Sequence, residues 1–305
     1  GHALKNRAFP VPDGTYCAGF GIVTLANGQK TDFSVYGSER AEPGRNQTGG
    51  TGMDLGLKGK KAIVTGGTKG ICRALLDILV EEGCDIAFCA RSEDDVKATV
   101  AELEGKGVKV VGGTANVKEV EGYQQWLKDA AEELGGCDIF VPGVSAGGGM
   151  DGEKSWYKAF EIDLMGCVRG FDALFPYMKA SGNASVVFIS TTAAVETFIA
   201  PMPYNSIKAS LITYAKQMSQ FHGKRGIRFN VVSPGPILIE GGSWAQIRDS
   251  DEAFFNSILA QQPDGRMGEA DEVAKCIAFL ASDAASWVTG TNLIVDGGFT
   301  KRVQF

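Results

Sequence analysis

The sequence predicts an α/β fold: one doubly wound parallel sheet, preceded by a short N-terminal β-hairpin extension. Three observations carry this. From Met53 onward, apolar runs of strand length alternate with amphipathic helical stretches, the order that sets parallel strands side by side with helices on both faces. The first apolar run, Lys61–Thr65, leads into a glycine-rich turn that opens a helix. No internal repeat competes with this reading.

Residues 1–52 stand apart from the rest. Gly1-His2 reads as a remnant of a purification tag. Thr15–Leu25 and Gln29–Tyr36 read as two short strands around Ala26-Asn27-Gly28, and Asn-Gly is a strong hairpin signal. Residues 48–52, Thr-Gly-Gly-Thr-Gly, have the composition of a flexible linker. A lone hairpin buries no core of its own. It must dock on the main domain, pair with another subunit or stay mobile, and the sequence leaves all three open. The main domain is expected over residues 53–305.

Within it, Lys61–Thr65 suits a strand buried on both faces. Gly70–Glu82 carries Ile71, Leu75, Ile78 and Leu79 at helical spacing, and Gly83 ends it. A strand at Asp85–Ala90, a helix at Ser92–Glu104 and a strand at Lys109–Gly112 follow. The alternation continues through Val117–Leu134, Asp138–Val141, Trp156–Ala180, Ser185–Ser190, Tyr204–His222, Ile227–Val232, Ala270–Ala281 and Asn292–Val295.

Composition excludes several classes of function. A net charge of −6 and the absence of long basic blocks give no nucleic-acid surface. No apolar run reaches membrane-spanning length, and the N-terminus lacks a signal-peptide pattern. The seven cysteines include no C-x-x-C pair, so a cytoplasmic protein with reduced thiols is expected. Only His2 and His222 occur, which argues against a metal site and against Ser-His-Asp chemistry.

The turn after the first strand reads Thr65-Gly-Gly-Thr-Lys-Gly-Ile-Cys72. Glycines there let the backbone approach a pyrophosphate, and the following helix N-terminus offers free N–H groups and a positive dipole end. Gly66, Thr68, Lys69, Gly70 and Ile71 are therefore candidates for holding a dinucleotide in a Rossmann-type fold. A cofactor with a free ribose 2′-OH is usually held by an acid at the end of the second strand. Here that strand ends Ala90-Arg91-Ser92. A guanidinium at Arg91, with Ser92 beside it and Lys69 as a second cation, suits a 2′-phosphate, so NADP(H) is the expected cofactor.

Tyr204-Asn-Ser-Ile-Lys208 places a phenol and an ammonium one helical turn apart. A free Tyr has a pKa of about 10, too high for efficient acid–base work near neutral pH. A cation beside it favours the phenolate, so Lys208 is expected to lower the pKa of Tyr204.

These segments together resemble the short-chain dehydrogenase/reductase family over about residues 56–299, including its NADP(H)-preferring, 3-oxoacyl-ACP reductase-like members. The glycine loop is similar to the family's T-G-x-x-x-G-I-G, with Cys72 in place of the last glycine. The resemblance implies a catalytic set of Tyr204, Lys208, a hydroxyl that hydrogen-bonds the substrate carbonyl, and Asp163 where the family has Asn. Counting back 13 residues from Tyr204 gives Thr191 as that hydroxyl, with Ser190 or Thr192 as alternatives. The family's Asn kinks its helix and offers its backbone carbonyl to a water linked to the Lys. Asp163 can keep that backbone role, or its carboxylate can pair with Lys208. The resemblance further implies cofactor contacts from Asn116 and Val117, from Ser145, Ala146 and Gly147, and from Pro234, Gly235 and Ile237. Ile239 stands where a Thr is usual, and Val144-Ser145 replace two Asn.

The implied activity is reversible interconversion of a ketone or aldehyde and an alcohol, with a small-molecule substrate and a homo-oligomer, tetramer or dimer, as the assembly. Substrate contacts are expected from Gly148–Glu153, Val195–Pro203 and Ile237–Gln262, the last either an apolar lid or a helix pair at a subunit contact. The competing reading is a dinucleotide-binding sensor or scaffold without turnover, motivated by Cys72, Val144, Asp163 and Ile239. A dehydratase or epimerase on the same fold is a further alternative.

Overall fold

The computed structural model describes residues 53–303. The strands expected near the N-terminus and the linker at 48–52 lie outside the described residues. Seven strands, β1 (Lys61–Thr65), β2 (Asp85–Ala90), β3 (Val110–Thr114), β4 (Ile139–Pro142), β5 (Ala184–Ile189), β6 (Ile227–Pro234) and β7 (Asn292–Val295), form one sheet. Their order is β3-β2-β1-β4-β5-β6-β7, with every pairing parallel. The winding reverses between β1 and β4. A crevice therefore opens at the carboxyl ends of these two strands, where open α/β sheets bind ligands.

The two faces follow from the period of the strands. In β1, Ala62 and Val64 join one core and Ile63 the other. The first core is closed by α1 (Gly70–Glu81), α2 (Glu93–Leu103) and α9 (Ala270–Ala281), through Leu75, Leu79, Leu103, Val273 and Ile277. The second is closed by α3 (Val120–Leu134), α5 (Gly166–Ser181) and α6 (Pro203–His222), through Leu127, Phe171, Leu174 and Leu211. Each such side chain, fully buried, contributes roughly 1.5–3 kcal/mol of transfer free energy.

Three differences from the sequence expectation have physical causes. The single helix expected over Trp156–Ala180 is α4 (Glu153–Ala159), a π-helical segment (Phe160–Met165) and α5. A π segment inserts one residue per turn and often marks a functional position; this one carries Asp163. The third strand, expected over Lys109–Gly112, runs instead from Val110 to Thr114, on through Gly113. A Cβ at Gly113 would lie 1.9 Å from Trp126 Nε1 and one at Gly112 2.4 Å from Val100 Cγ2, so close helix packing requires both glycines. Helix α3 begins at Val120 rather than Val117, because Asn116 closes a turn there. Its Oδ1 accepts from Lys118 N at 3.2 Å and its Nδ2 donates to Glu119 Oε1 at 3.0 Å.

Helices α7 (Ser243–Ser250) and α8 (Glu252–Leu259) form a pair after β6. Phe255, Ile258 and Met267 make a small third core, against which Phe198, Trp244, Phe254 and Phe299 pack. Among the described residues no helix is long and apolar enough to cross a membrane, and no group of His, Cys, Asp or Glu has metal-binding geometry.

Candidate active site

The glycine turn sits at the switch point. Gly66 (φ +77°) and Gly70 (φ +59°) adopt left-handed conformations, and a Cβ at Gly66 would come within 3.2 Å of the Val144 amide nitrogen. The amides of Gly66 and Gly67 donate to Cys89 O at 2.8 and 3.2 Å, which binds the turn to the end of β2. Lys69 is the N-cap of α1 and supplies no side-chain cap, so the first N–H groups of the helix are left for an anion. Thr68, Lys69, Gly70 and Ile71 surround this helix start.

Cys72 is accommodated by an unexpected partner. Its Sγ fills the space that a side chain at Gly143 would take, 2.0 Å from an ideal Cβ there. The thiol is buried, and burial pushes its pKa up to about 12, so it packs as a small apolar group. Nothing in the sequence alone pairs these two positions.

The charges at the end of β2 are arranged less simply than the sequence suggested. Arg91 is exposed and makes no ion pair among the described residues. Lys69 Nζ lies 2.8 Å from Asp95 Oδ2, in the first turn of α2. Ser92 is the N-cap of α2 and its Oγ accepts from Asp95 N at 3.2 Å. Asn116 spends its amide on the turn already described, and Val117 is buried in the second core. Ser145 Oγ accepts from Gly147 N at 3.1 Å. Pro234 ends β6, and Gly235 N donates to Val295 O at 2.9 Å. Ile237 is buried and bridges to Gly268.

Tyr204 is in the first turn of α6, where Pro203 opens the helix, and Lys208 is one turn on. Lys208 Nζ lies 5.8 Å from the Tyr204 ring centroid. The ammonium is almost fully buried. It donates to Ile189 O at 2.9 Å, and Asp163 Oδ1 sits 3.0 Å away. Asp163 is itself fully buried, and its Oδ2 accepts from Ala146 N at 3.0 Å. Its backbone carbonyl accepts from Cys167 Sγ at 3.2 Å. Of the two roles open to Asp163 in the sequence, its side chain takes the one paired to Lys208.

This pair reverses an expectation. Burial of the ammonium opposes its charge, but the Asp163 carboxylate, helped by Tyr204, outweighs burial and holds the pKa of Lys208 above its ordinary value. For Tyr204, desolvation raises the pKa most, Lys208 lowers it, Asp163 raises it, and a hydrogen bond from Thr191 lowers it. The pKa of Tyr204 is therefore raised above that of an ordinary phenol, not depressed below it. Lys208 does pull in the expected direction; its own countercharge and the loss of water weigh more.

The hydroxyls at the end of β5 divide by role. Ser190 Oγ is buried and donates to Lys208 O at 2.9 Å. Thr191 caps a single helical turn over Thr192–Ala194, its Oγ1 accepting from Ala193 N at 3.3 Å, and it reaches Tyr204. Thr192 is buried. Beyond them, Ala193–Pro201 and Asn205 line a cavity of about 740 Å3. Tyr204 lines a small one of about 50 Å3 with Ala146, Gly147, Ser155 and Lys158.

Known proteins resemble this chain over most of its length. A family model described as enoyl-(acyl carrier protein) reductase matches residues 66–300. Isoepoxydon dehydrogenase of Penicillium expansum is 35% identical over 260 residues, covering 83% of this chain and 99% of that protein. Dehydrogenase/reductase SDR family member 4 of Oryctolagus cuniculus is 30% identical over 252 residues, covering 81% and 96%. L-sorbose reductase from Gluconobacter frateurii, solved with NADPH and L-sorbose, superposes with a TM-score of 0.77 at 27% identity, covering 82% of this chain and all of that one.

Proposed function

Since this chain belongs to the short-chain dehydrogenase/reductase family and is an NADP(H)-dependent oxidoreductase of carbonyl and alcohol groups, we propose that Tyr204, Lys208, Thr191 and Asp163 form its catalytic apparatus. The observation that carries this is the buried chain of contacts from Asp163 through Lys208 to Tyr204, at the carboxyl ends of β4 and β5.

The cofactor's fit rests on the uncapped start of α1, the close approach of Gly66 to Val144 and the exposed guanidinium of Arg91. Gly66, Thr68, Lys69, Gly70 and Ile71 would hold the pyrophosphate. Arg91, Ser92 and Lys69 would hold the 2′-phosphate, with Lys69 leaving Asp95 to do so. Asn116, Val117, Ser145, Ala146, Gly147, Pro234, Gly235 and Ile237 would shape the rest of the groove. When bound, the nicotinamide supplies hydride to a carbonyl carbon or accepts it from an alcohol.

Tyr204 gives its proton to the carbonyl oxygen in reduction and takes it back in oxidation. Thr191 donates to the same oxygen and polarises it. Lys208 keeps a positive charge under the phenol, and Asp163 keeps Lys208 charged and in place. The raised pKa of Tyr204 means that the phenol is protonated near neutral pH, the state carbonyl reduction requires. Loop 193–201 and the α7–α8 pair, with Phe198 and Trp244 in contact, favour an apolar or ring-containing substrate.

Residues 53–305 are proposed as the catalytic domain, with 1–52 as an extension. A reducing compartment such as the cytoplasm fits six unpaired cysteines among the described residues. A homo-oligomer fits the exposed Trp156 and Tyr157 of α4 and Phe160 at the start of the π segment. The test is a panel of ketones, aldehydes and alcohols with NADPH, NADP+, NADH and NAD+, followed at the reduced-nicotinamide absorbance. Turnover with NADP(H) in preference to NAD(H) is expected; binding of NADPH without turnover of any compound would favour the sensor reading.

A further inference from the structure

We infer that Glu196 is a positioning residue that fastens the C-terminal segment to the substrate loop and so sets the shape of the substrate cavity; this rests on the oxidoreductase reading above. The backbone N–H groups of Lys301 and Arg302 both donate to Glu196 Oε2, at 3.0 and 3.2 Å. In return the Arg302 guanidinium donates to Val195 O at 2.9 Å. Two adjacent main-chain donors on one carboxylate oxygen, with a cation on the neighbouring carbonyl, make a reciprocal clasp of charge-assisted bonds.

The clasp joins two parts of the site. At its far end the segment leaves β7 through Asp296, whose carboxylate accepts from Gly298 N at 2.9 Å, Thr300 N at 2.8 Å and Thr300 Oγ1 at 2.7 Å. Asp296 also abuts Gly235 at the end of β6, where a Cβ on the glycine would lie 2.6 Å from Asp296 Cβ. Midway, Phe299 packs edge-on against Phe198 of the loop, with ring centroids 5.7 Å apart. The segment therefore runs from the proposed nicotinamide side of the site to the wall of the 740 Å3 cavity that Ala193–Pro201 line.

The loop needs such an anchor. Ile199 has φ +59°, a left-handed conformation that costs a β-branched residue on the order of 1–3 kcal/mol. Around it Ala200 N donates to Phe198 O at 2.8 Å in a three-residue turn. A wall held in a strained conformation keeps one shape only while its surroundings fix it. The clasp and the contacts of Phe198 with Phe299 and Trp244 hold it from outside. Glu196 touches neither Tyr204 nor Lys208, so it acts on the shape of the cavity and leaves the proton-transfer groups alone.

The test compares Glu196→Ala, Glu196→Gln and Arg302→Ala in the full chain, with NADPH bound. Gln keeps a carbonyl oxygen for the two N–H donors; Ala keeps nothing. In Glu196→Ala, amide hydrogen exchange over Val195–Met202 is expected to rise about tenfold, the equivalent of one lost charged contact. Arg302→Ala should move the same amides, Glu196→Gln should stay near the parent, and α1 and α9 should exchange as before. With whichever carbonyl compound the parent turns over, KM should rise about tenfold in Glu196→Ala while kcat stays within about twofold. Unchanged exchange in Glu196→Ala overturns the inference, as does a fall in kcat with KM unchanged. If the parent turns nothing over, the oxidoreductase reading fails, and the exchange comparison still decides the clasp.

Discussion

The Asp163 carboxylate sits 3.0 Å from the Lys208 ammonium, and both groups are shut off from water. Breaking a buried pair by removing one partner costs about 3–5 kcal/mol, because a charge is left uncompensated. The pair also controls Tyr204, since Asp163 raises the phenol pKa that Lys208 lowers. Asp163→Asn keeps an acceptor for the Ala146 N–H and removes the negative charge. The Tyr204 pKa should then fall. Alcohol oxidation needs the phenolate, so its rising kcat/KM limb should move to lower pH; carbonyl reduction needs the phenol, so its falling limb should move the same way. Profiles between about pH 6 and about pH 11 check this. A limb that stays in place or moves upward would contradict it. The melting temperature of the variant should also drop.

At the proposed 2′-phosphate end, Arg91 is exposed and Lys69 is held by Asp95 at 2.8 Å. Arg91→Ala should weaken NADPH binding about tenfold or more, the worth of charged hydrogen bonds to a phosphate, and leave NADH binding nearly unchanged. Asp95→Asn frees Lys69, but the pair is solvent-exposed, and such pairs contribute about 0–1 kcal/mol. Its gain in NADPH affinity should therefore be no more than about fivefold. Fluorescence titration of both cofactors against both variants measures these effects.

The sequence was legible where one pattern dictated one structure. β1, β2, β7 and α9 occur at the expected residues, because an apolar strand or an amphipathic face tolerates few registers. It was illegible where two distant residues had to be seen together. Cys72 reads as a defect in the glycine loop until Gly143 is found to leave room for its sulfur. The rise in the Tyr204 pKa could not be read from a Tyr and a Lys one turn apart, since it comes first from burial of the phenol and then from a carboxylate, Asp163, outside that helix. The partner of Lys69 was within reach of the sequence: Asp95 is in the acidic first turn that follows Ser92. The break of the long helix at Asp163 had no signal in apolar spacing, which continues through the π segment.

The match between Cys72 and Gly143 predicts an asymmetric mutational response. Gly143→Ala drives a methyl into both the Cys72 sulfur and Thr65 O, the latter 2.8 Å from the new carbon, so it should cost about 1–3 kcal/mol or more and weaken NADPH binding through the displaced loop. Cys72→Ala should cost less than about 2 kcal/mol, since it only removes a sulfur. Combining the two should recover part of the loss, because the sulfur clash disappears and the backbone one remains. Denaturant titration of the three variants measures this; additive losses would contradict the interlock.

Arg228 on β6 makes a further stability element. Its guanidinium donates to Leu280 O, Ala281 O and Ser282 O at the end of α9 and to Val288 O, at 2.8 to 3.3 Å, with no carboxylate among these acceptors. A cation at a helix C-terminus satisfies carbonyls that have no intrahelical partner. Arg228→Leu should leave those carbonyls unpaired and destabilise the protein by about 2–4 kcal/mol, lowering Tm by roughly 5–15 °C. Thermal unfolding in parallel with Arg228→Lys separates charge from geometry: Lys reaches fewer of these oxygens and should recover only part of the stability.

The proposed role of Tyr204 is to move the proton while the rest of the site binds and orients. Tyr204→Phe removes one oxygen and leaves the glycine cradle, Arg91 and the Asp163–Lys208 pair in place. Steady-state carbonyl reduction by this variant, alongside its NADPH dissociation constant, is the most direct measurement. kcat is expected to fall by about 100-fold or more, the usual range for losing a general acid, with NADPH affinity within about threefold of the parent. Reduction near the parental rate with NADPH bound normally would contradict it.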